Sequence, residues 1–348
     1  MDQKNRAGDD GIQISFLVPI YNVKPFLADG IHSIEEACRE LSYEIVCVED
    51  CSTDGTGDVL RSLQRENPRI VVIQNEQNIG MCASRNRAMQ AARGTYIWLF
   101  DPDDLVPPGI VTEFLRAASD FEADAVLGNY VRIREEASLS SVELSNDLPV
   151  QFRQVRLVDR DLPVDPEGNR FHSVCMGMFR RAFVEEHHLH FYKEMIAQED
   201  TLFYYEYRQC GGKTIKTESV CYLYRQRNGS VMHDHSEKRN QAYYRSMRKM
   251  LEVFTDYLEK GTYTDLGELQ RKILHTKENI AVRLALCKDH AFVKREFAEI
   301  QRIGAYPYAF RKATLKRARS PLYNYICYLM PIKPVFWIVH LFSGFMNV

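Results

Sequence analysis

Asp101, Asp103 and Asp104 follow directly on the apolar run Thr95 to Phe100 (TYIWLF). Carboxylates gathered where a buried strand reaches the surface can hold a hard divalent cation, which in turn binds the phosphate oxygens of a nucleotide. That is equipment for phosphate-ester chemistry, although Asp and Pro also suit an ordinary solvent-facing turn. A second acidic pair, Glu199 and Asp200, stands in Lys193 to Phe203 (KEMIAQEDTLF), just ahead of an aromatic run. At the positive end of a helix dipole a carboxylate is favoured in its ionised form, so the pair suits either a catalytic base or a helix cap.

The elements that must position these groups are readable upstream. Apolar runs at Ile14 to Val18, Glu44 to Val48 and Ile70 to Ile73 alternate with longer amphipathic stretches. This order predicts right-handed βαβ units and a mostly parallel sheet, with ligands at the carboxyl ends of its strands. Each run ends in a polar break. The first is Pro19, Ile20, Tyr21, Asn22; the second is Glu49, Asp50, Cys51, Ser52, Thr53, Asp54, Gly55. The third passes through Asn75, Asn78 and Gly80 into a helix with Ser84, Arg85 and Asn86. Tyr21 can stack on a nucleobase, Asp50 can accept a hydrogen bond from base or ribose, and Arg85 can meet phosphate or bind another acidic loop. Ser52, Thr53 and Asp54 equally make a helix N-cap.

Taken in order, PIYN, VEDCSTDGT, NIGMCASRNRAM and GTYIWLFDPDD resemble the family 2 glycosyltransferases of the GT-A fold. The likeness continues through Gln198, Glu199 and Asp200 to Tyr224, Arg225, Gln226 and Arg227, and is strongest to bacterial enzymes that build capsule, exopolysaccharide or O-antigen repeats. It implies an α/β nucleotide-diphospho-sugar transferase fold, a Rossmann-like, mostly parallel sheet flanked by helices, with a C-terminal helical region. It also implies that Tyr21 and Asp50 lie against the uracil of a UDP-sugar and that Pro19 shapes the first loop, with Asn22, Glu49, Ser52, Asn78 and Gly80 among the donor-binding positions. Arg85 would lie near the diphosphate or brace the aspartate loop. Asp103 and Asp104 would contact ribose and the Mn²⁺ or Mg²⁺ that bridges the diphosphate, with Asp101 opening the motif. Asp200 would be the general base, with Glu199 orienting it or meeting the acceptor. One departure is Glu49, where the family carries the first of two aspartates. Tyr224 to Ser230 resembles the family's flexible loop after the last strand, which implies a diphosphate contact for Arg227, although a basic turn can also be simply solvated. His233 can add a metal or phosphate ligand, but a lone histidine is usually neither.

The implied reaction is a single in-line displacement that inverts the anomeric centre. A nucleotide diphosphate leaves readily once a cation and basic side chains neutralise it, so one base on the opposite face suffices. A non-catalytic nucleotide-sugar-binding or scaffold protein would keep the nucleotide loops but lack a working base. Neither a Walker phosphate loop nor a GxGxxG fingerprint occurs, against a P-loop NTPase or a dinucleotide oxidoreductase. His187, His188 and His190 lack zinc spacing and read as structural. The cysteines form no CxxC pair and several, such as Cys47 and Cys221, sit in apolar runs, which predicts reduced thiols and a cytoplasmic setting.

The expected domains are a polar tail over residues 1–11, a catalytic domain over 12–235, a helical subdomain over 236–304 and a basic, apolar tail over 305–348. Ser236 to Leu258, Asp265 to Cys287 and Ala291 to Ile303 read as helices. Arg134 to Gly168 reads as a loop or hairpin insertion. From Ile300 onward there are seven basic residues and no acidic one, so a chain of net charge −2 carries a positive tail. Its runs Tyr323 to Met330 and Val335 to Phe345 are too short to span a bilayer, and Pro331 and Pro334 divide them. They predict an interfacial anchor on the inner face of the plasma membrane, with Phe336, Trp337 and Leu341 in lipid, or else a helix packed on the protein or at a homodimer interface. Met1 to Gly11 is polar and acidic, unlike a signal peptide. The expected partners are a UDP-sugar, a lipid-linked or oligosaccharide acceptor and the membrane surface, and not nucleic acid.

Overall fold

The computed structural model describes residues 11–137, 156–157, 173–227, 236–306 and 333–342. The chain divides into two compact units, Met1–Lys193 with Asp200–Ser230, and Glu194–Glu199 with Val231–Val348.

The first unit is built on an eight-stranded sheet in the order β3-β2-β1-β4-β7-β5-β8-β6. Its first half is β1 (Ile14–Ile20), β2 (Tyr43–Glu49), β3 (Ile70–Gln74) and β4 (Tyr96–Leu99), all parallel, with α1 (Lys24–Ala37), α2 (Thr56–Glu66) and α3 (Met81–Ala91) as crossovers. Every residue of β1 and β2 is buried, as expected for strands covered on both faces. Because the four strands run the same way, the breaks after Ile20, Glu49, Gln74 and Leu99 share one edge. Pro19 faces Val48 across the β1–β2 ladder, whereas the β4 ladder pairs only Ile14 to Leu17. A residue without an N–H thus sits past the point where its other neighbour needs one.

The second half comprises β5 (Ala125–Arg134), β6 (Arg156–Leu157), β7 (Gly177–Arg180) and β8 (Thr214–Gln226), with α4 (Ile110–Asp120), α5 (Arg181–Glu186) and α6 (Glu199–Gln209). Here β7 is antiparallel to both β4 and β5, so the sheet changes direction beside the aspartate segment. Phe16 stacks on Trp98 at 5.5 Å and Trp98 on Phe114 at 5.2 Å, a run of rings from β1 through β4 to α4 that fills the core.

In the second unit, α7 (Glu237–Lys260), α8 (Leu266–Leu286) and α9 (His290–Arg302) start at Ser236, Asp265 and Asp289, whose side chains accept from Arg239, Glu268 and Phe292 amides. A last helix, α10 (Lys333–Phe342), packs against this unit. Phe336 is buried, its ring 4.4 Å from that of Phe297, and Trp337 lies 5.1 Å from the same ring. This corrects the expectation that Phe336 enters lipid, since aromatic surface already buried in protein is not available to acyl chains; Trp337 keeps part of its surface and Leu341 is exposed. Among the described residues no helix is long and apolar enough to cross a membrane. The expectations for residues 1–10, most of the insertion from Arg134 to Gly168, His233 with the Gly-Ser turn before it, and the tail from residue 307 to 332 lie outside the described residues.

Candidate donor and catalytic site

The loops after β1 and β2 are stitched together by short polar side chains. Asn22 donates its amide to the Ser52 hydroxyl at 3.1 Å and accepts from the Thr53 amide at 2.8 Å. Asn22 and Cys51 both have positive φ, at 48° and 61°. Non-glycine residues in that region cost energy, and the surrounding bonds hold them there. Asp54 accepts from the amides of Thr56 at 2.9 Å and Lys24 at 3.1 Å, so one carboxylate serves the starts of two helices. Of the expected capping residues Ser52, Thr53 and Asp54, it is Asp54 that bonds the start of α2, from one residue ahead of Gly55, which takes the N-cap position at φ 90°; the seryl oxygen accepts from Asn22 instead.

Asp50 is buried and committed to the third loop. Oδ1 accepts from Asn75 Nδ2 at 2.7 Å and the Ile79 amide at 2.8 Å, and Oδ2 accepts from the Gly80 amide at 2.9 Å. An ionised carboxylate has about four acceptor sites, so one lone pair of Oδ2 remains for a donor arriving at the edge. Asn78 donates to the Asp50 carbonyl at 3.3 Å. Glu49, the departure from the family pattern, accepts from the Ser52 amide at 2.7 Å, the Cys51 amide at 3.2 Å and the Gln74 side chain. Burial opposes its ionisation, but these bonds, led by Ser52, hold its carboxyl below the usual range. The longer side chain of Glu49 therefore bends back to shape its own loop. Tyr21, half exposed, offers an open ring beside these loops.

The aspartate segment is held by arginines. Asp101 accepts from Arg85 Nη2 at 3.0 Å, and the other arm of the same guanidinium, Nη1, donates to Asp200 Oδ1 at 3.0 Å. Arg85 is 1% exposed and lies over the Phe191 ring, which stacks on Phe203 of α6 at 4.7 Å. Its neighbour Asn86 clasps the Phe191 backbone, donating to the carbonyl at 2.6 Å and accepting from the amide at 2.8 Å. Two consecutive residues of α3 thus fix Asp200 and the segment that leads toward it. Burial pushes the Asp200 carboxyl above the ordinary range, Arg85 and Ser173 oppose this, and the nearby charge of Asp101 adds to it. The Val174 amide completes the cradle at 3.4 Å from Oδ2. Glu199 precedes Asp200 as the first residue of α6.

Asp104 turns inward. Its carboxylate accepts from the Arg225 amide at 2.7 Å and from Tyr222, and burial, with Asp103 and Asp101 beside it, pushes its pKa up to about 8. Asp104, expected on the metal, is 2% exposed and bonded into the fold through these partners. Asp103 is the more accessible of the pair, with Arg227 Nε 2.6 Å from its Oδ2. Arg227, expected on phosphate, here meets a carboxylate. Arg225 locks the loop from behind through the Asp103 carbonyl at 2.7 Å and the Glu135 carbonyl at 2.7 Å. Gly30 of α1 is required beneath the same loop, since a Cβ there would stand 2.6 Å from the Pro102 carbonyl oxygen.

No three His, Cys, Asp or Glu side chains converge as a metal-ligand group among the described residues. A Mg²⁺-like ion needs only one or two carboxylates when substrate phosphates and water supply the rest, and Asp103 with Asp101 fits that donor set. His187 packs against Phe183 at 4.3 Å and His190 meets the His188 carbonyl at 2.9 Å, well apart from such a role. Ser173, Phe191 and Tyr222 escaped the sequence reading because each acts through a partner distant in the chain.

A family model described as glycosyl transferase family 2 matches residues 15–187, which carry every one of these loops except the Asp200 segment and the end of β8. The chain belongs to that family. This glycosyltransferase is 36% identical over 91 residues to the putative teichuronic acid biosynthesis glycosyltransferase TuaG of Bacillus subtilis (strain 168), covering 26% of this chain and 36% of that protein. It is 24% identical over 222 residues to glycosyltransferase GlyG of Streptococcus pneumoniae serotype 4, covering 63% of this chain and 72% of GlyG. The match thus spans little more than a third of TuaG and under three quarters of GlyG. In fold it resembles S. aureus TarS 1-349, solved in complex with UDP-GlcNAc, with a TM-score of 0.57 and 17% identity over 96% of this chain and 87% of that one. The glycosyltransferase therefore has a mixed α/β, GT-A type architecture.

Proposed function

We propose that this glycosyltransferase moves a hexose or N-acetylhexosamine from a UDP-sugar to a polyprenyl-diphosphate-linked saccharide in cell-surface polysaccharide synthesis, inverting the anomeric centre. The observation that carries the reading is the single buried guanidinium of Arg85 shared by Asp101 and Asp200. It ties the loop suited to the leaving diphosphate to the carboxylate suited to the acceptor, the two groups that one displacement must use together.

In this reading Tyr21 stacks on uracil, and the remaining acceptor site of Asp50 takes the N3–H. Asp103, with Asp101, would hold a divalent ion, which would supply neutralisation of the charge on the leaving group. Asp200 takes the proton of the attacking hydroxyl on Oδ2, the oxygen that the Val174 amide meets at 3.4 Å, while Oδ1 accepts from Arg85. Its raised pKa brings it closer to working pH than a free aspartate, which strengthens it as a base. The lipid-linked acceptor draws support from the basic tail and from a relative named for teichuronic acid biosynthesis.

Nucleotide selectivity tests the donor assignment. Melting the protein with Mn²⁺ and UDP, GDP, dTDP or CMP is expected to show a UDP-selective, metal-dependent rise, about 2.7 kcal/mol at a hundredfold over Kd. Asp103→Asn is expected to lose it. No stabilisation by any nucleotide in the folded protein would overturn the reading.

A further inference from the structure

We infer that Arg227 is a resident cation on Asp103, holding the carboxylate that the divalent ion takes and releasing it when that ion arrives with the nucleotide phosphates. This rests on the donor-site reading above. Arg225 is the penultimate residue of β8 and Arg227 directly follows the strand, and both reach the same loop at Asp103. They also share a shelf, the Phe26 ring of α1, at 5.3 and 5.7 Å. Their holds on Asp103 nevertheless differ in kind.

Arg225 is 3% exposed and donates through Nε to the Asp103 carbonyl and through Nη1 to the carbonyls of Glu135 and Ala137, bonds that no incoming ion replaces. Arg227 touches the carboxylate itself. Its Nε lies 2.6 Å from Oδ2, yet this buried N–H makes no hydrogen bond, so the approach is too far off axis and the contact is charge against charge. The Asp103 and Arg227 side chains keep 19% and 24% exposure, enough for solvent and ions to reach the pair.

A second cation cannot settle on that oxygen while the guanidinium stays, because two like charges at such a distance repel. Metal alone must evict Arg227 and leave it with nothing in exchange. Metal carried on a nucleotide diphosphate provides the evicted guanidinium with phosphate oxygens, which its planar fork fits better than one off-axis carboxylate. Arg227 thereby makes ion and nucleotide bind as a unit: the ion on its own is disfavoured in proportion to the occupancy of the Arg227–Asp103 contact.

The test is a Mn²⁺ titration of the full chain read by the electron paramagnetic resonance of free Mn²⁺, without and with UDP, on wild type, Arg227→Met, Arg227→Lys and Asp103→Asn. Without nucleotide, Arg227→Met is expected to bind Mn²⁺ about fivefold tighter than wild type, the scale of one partly exposed ion pair, and Arg227→Lys to stay within about twofold. With UDP present the order is expected to reverse, wild type binding Mn²⁺ tighter than Arg227→Met. Equal or weaker Mn²⁺ binding by Arg227→Met without nucleotide overturns the resident-cation role. Mn²⁺ binding that survives unchanged in Asp103→Asn overturns the metal assignment beneath it, a separate failure.

Discussion

Asp50, at the end of β2, gives its carboxylate to two backbone amides and one asparagine, whereas Asp101, at the end of β4, gives its own to an arginine that holds Asp200 as well. Both residues close parallel strands of one sheet and both loops face the same edge. Backbone amides are fixed by the chain that carries them, so the Asp50 rim, proposed to face the base, is set once the sheet has formed. A guanidinium can trade one anion for another, so the Asp101 rim, proposed to face the diphosphate, can keep its charge balance while its partners change. The first arrangement suits recognition of a neutral base; the second suits a ligand that brings two phosphates and a metal and leaves without its sugar.

The contrast can be broken at its strongest point with Arg85→Met. Removing the cation leaves the largely buried Asp200 without its counter-charge beside Asp101, whose side chain is 35% exposed, so the cost is expected to fall at or below the roughly 3–5 kcal/mol of a fully buried pair. The melting temperature is expected to fall accordingly, with turnover lost; retention of both would mean that the Asp101–Arg85–Asp200 bridge holds nothing. On the other rim, Asp50→Asn places an amide against donors that needed an acceptor, at a cost of about 1–3 kcal/mol. Calorimetry is expected to show UDP affinity reduced in parallel with stability, since this carboxylate builds the loop it presents. A variant that lost UDP but kept its full stability would show that Asp50 acts only on the ligand.

The smallest effect sharpens the division within the aspartate loop. An unfolded aspartate ionises near about 3.9, whereas Asp104 in the fold holds its proton up to about 8. The native state therefore binds more protons across that window, and the contribution of Asp104, full below about 3.9, is lost as pH rises toward 8. Asp104→Asn removes the titration while its amide oxygen can still accept from the Arg225 amide and its nitrogen can donate to Tyr222. Melting in metal-free buffer is expected to give a flatter pH dependence for the variant and a gain over wild type toward pH 8. A wild type that became more stable relative to the variant as pH rose would contradict the inward placement.

The parallel half of the sheet was legible because its strands are fully buried and end in sharp polar breaks; Ile14, Glu44 and Ile70 open or lie within one residue of the opening of β1, β2 and β3. The helices of the second unit were legible to within a few residues for a local reason as well, since Ser236, Asp265 and Asp289 cap them by side-chain bonds. What stayed hidden was direction and partnership. The spacing of Asp103 and Asp104 does not say which points inward; that depends on Tyr222 and Arg225, more than a hundred residues on. Arg85 had two open readings, phosphate or acidic loop, and its bond to Asp200 spans 115 residues. Phe336 and Trp337 looked lipid-seeking because an aromatic stripe reads the same whether it meets a bilayer or Phe297.

Turnover and donor affinity measured on one preparation of Asp200→Asn reach the central claim most directly. Asparagine keeps the shape and the acceptor oxygen for Arg85 but cannot take a proton, and loss of a positioned base slows a reaction about 10²–10⁴-fold. The account predicts that loss in turnover, with Mn²⁺-dependent UDP affinity within about twofold of wild type, a change small beside the tenfold that 1.4 kcal/mol represents. Turnover at the wild-type rate in Asp200→Asn would contradict the assignment of Asp200 as the base and, with it, the joining of leaving-group loop and base through Arg85.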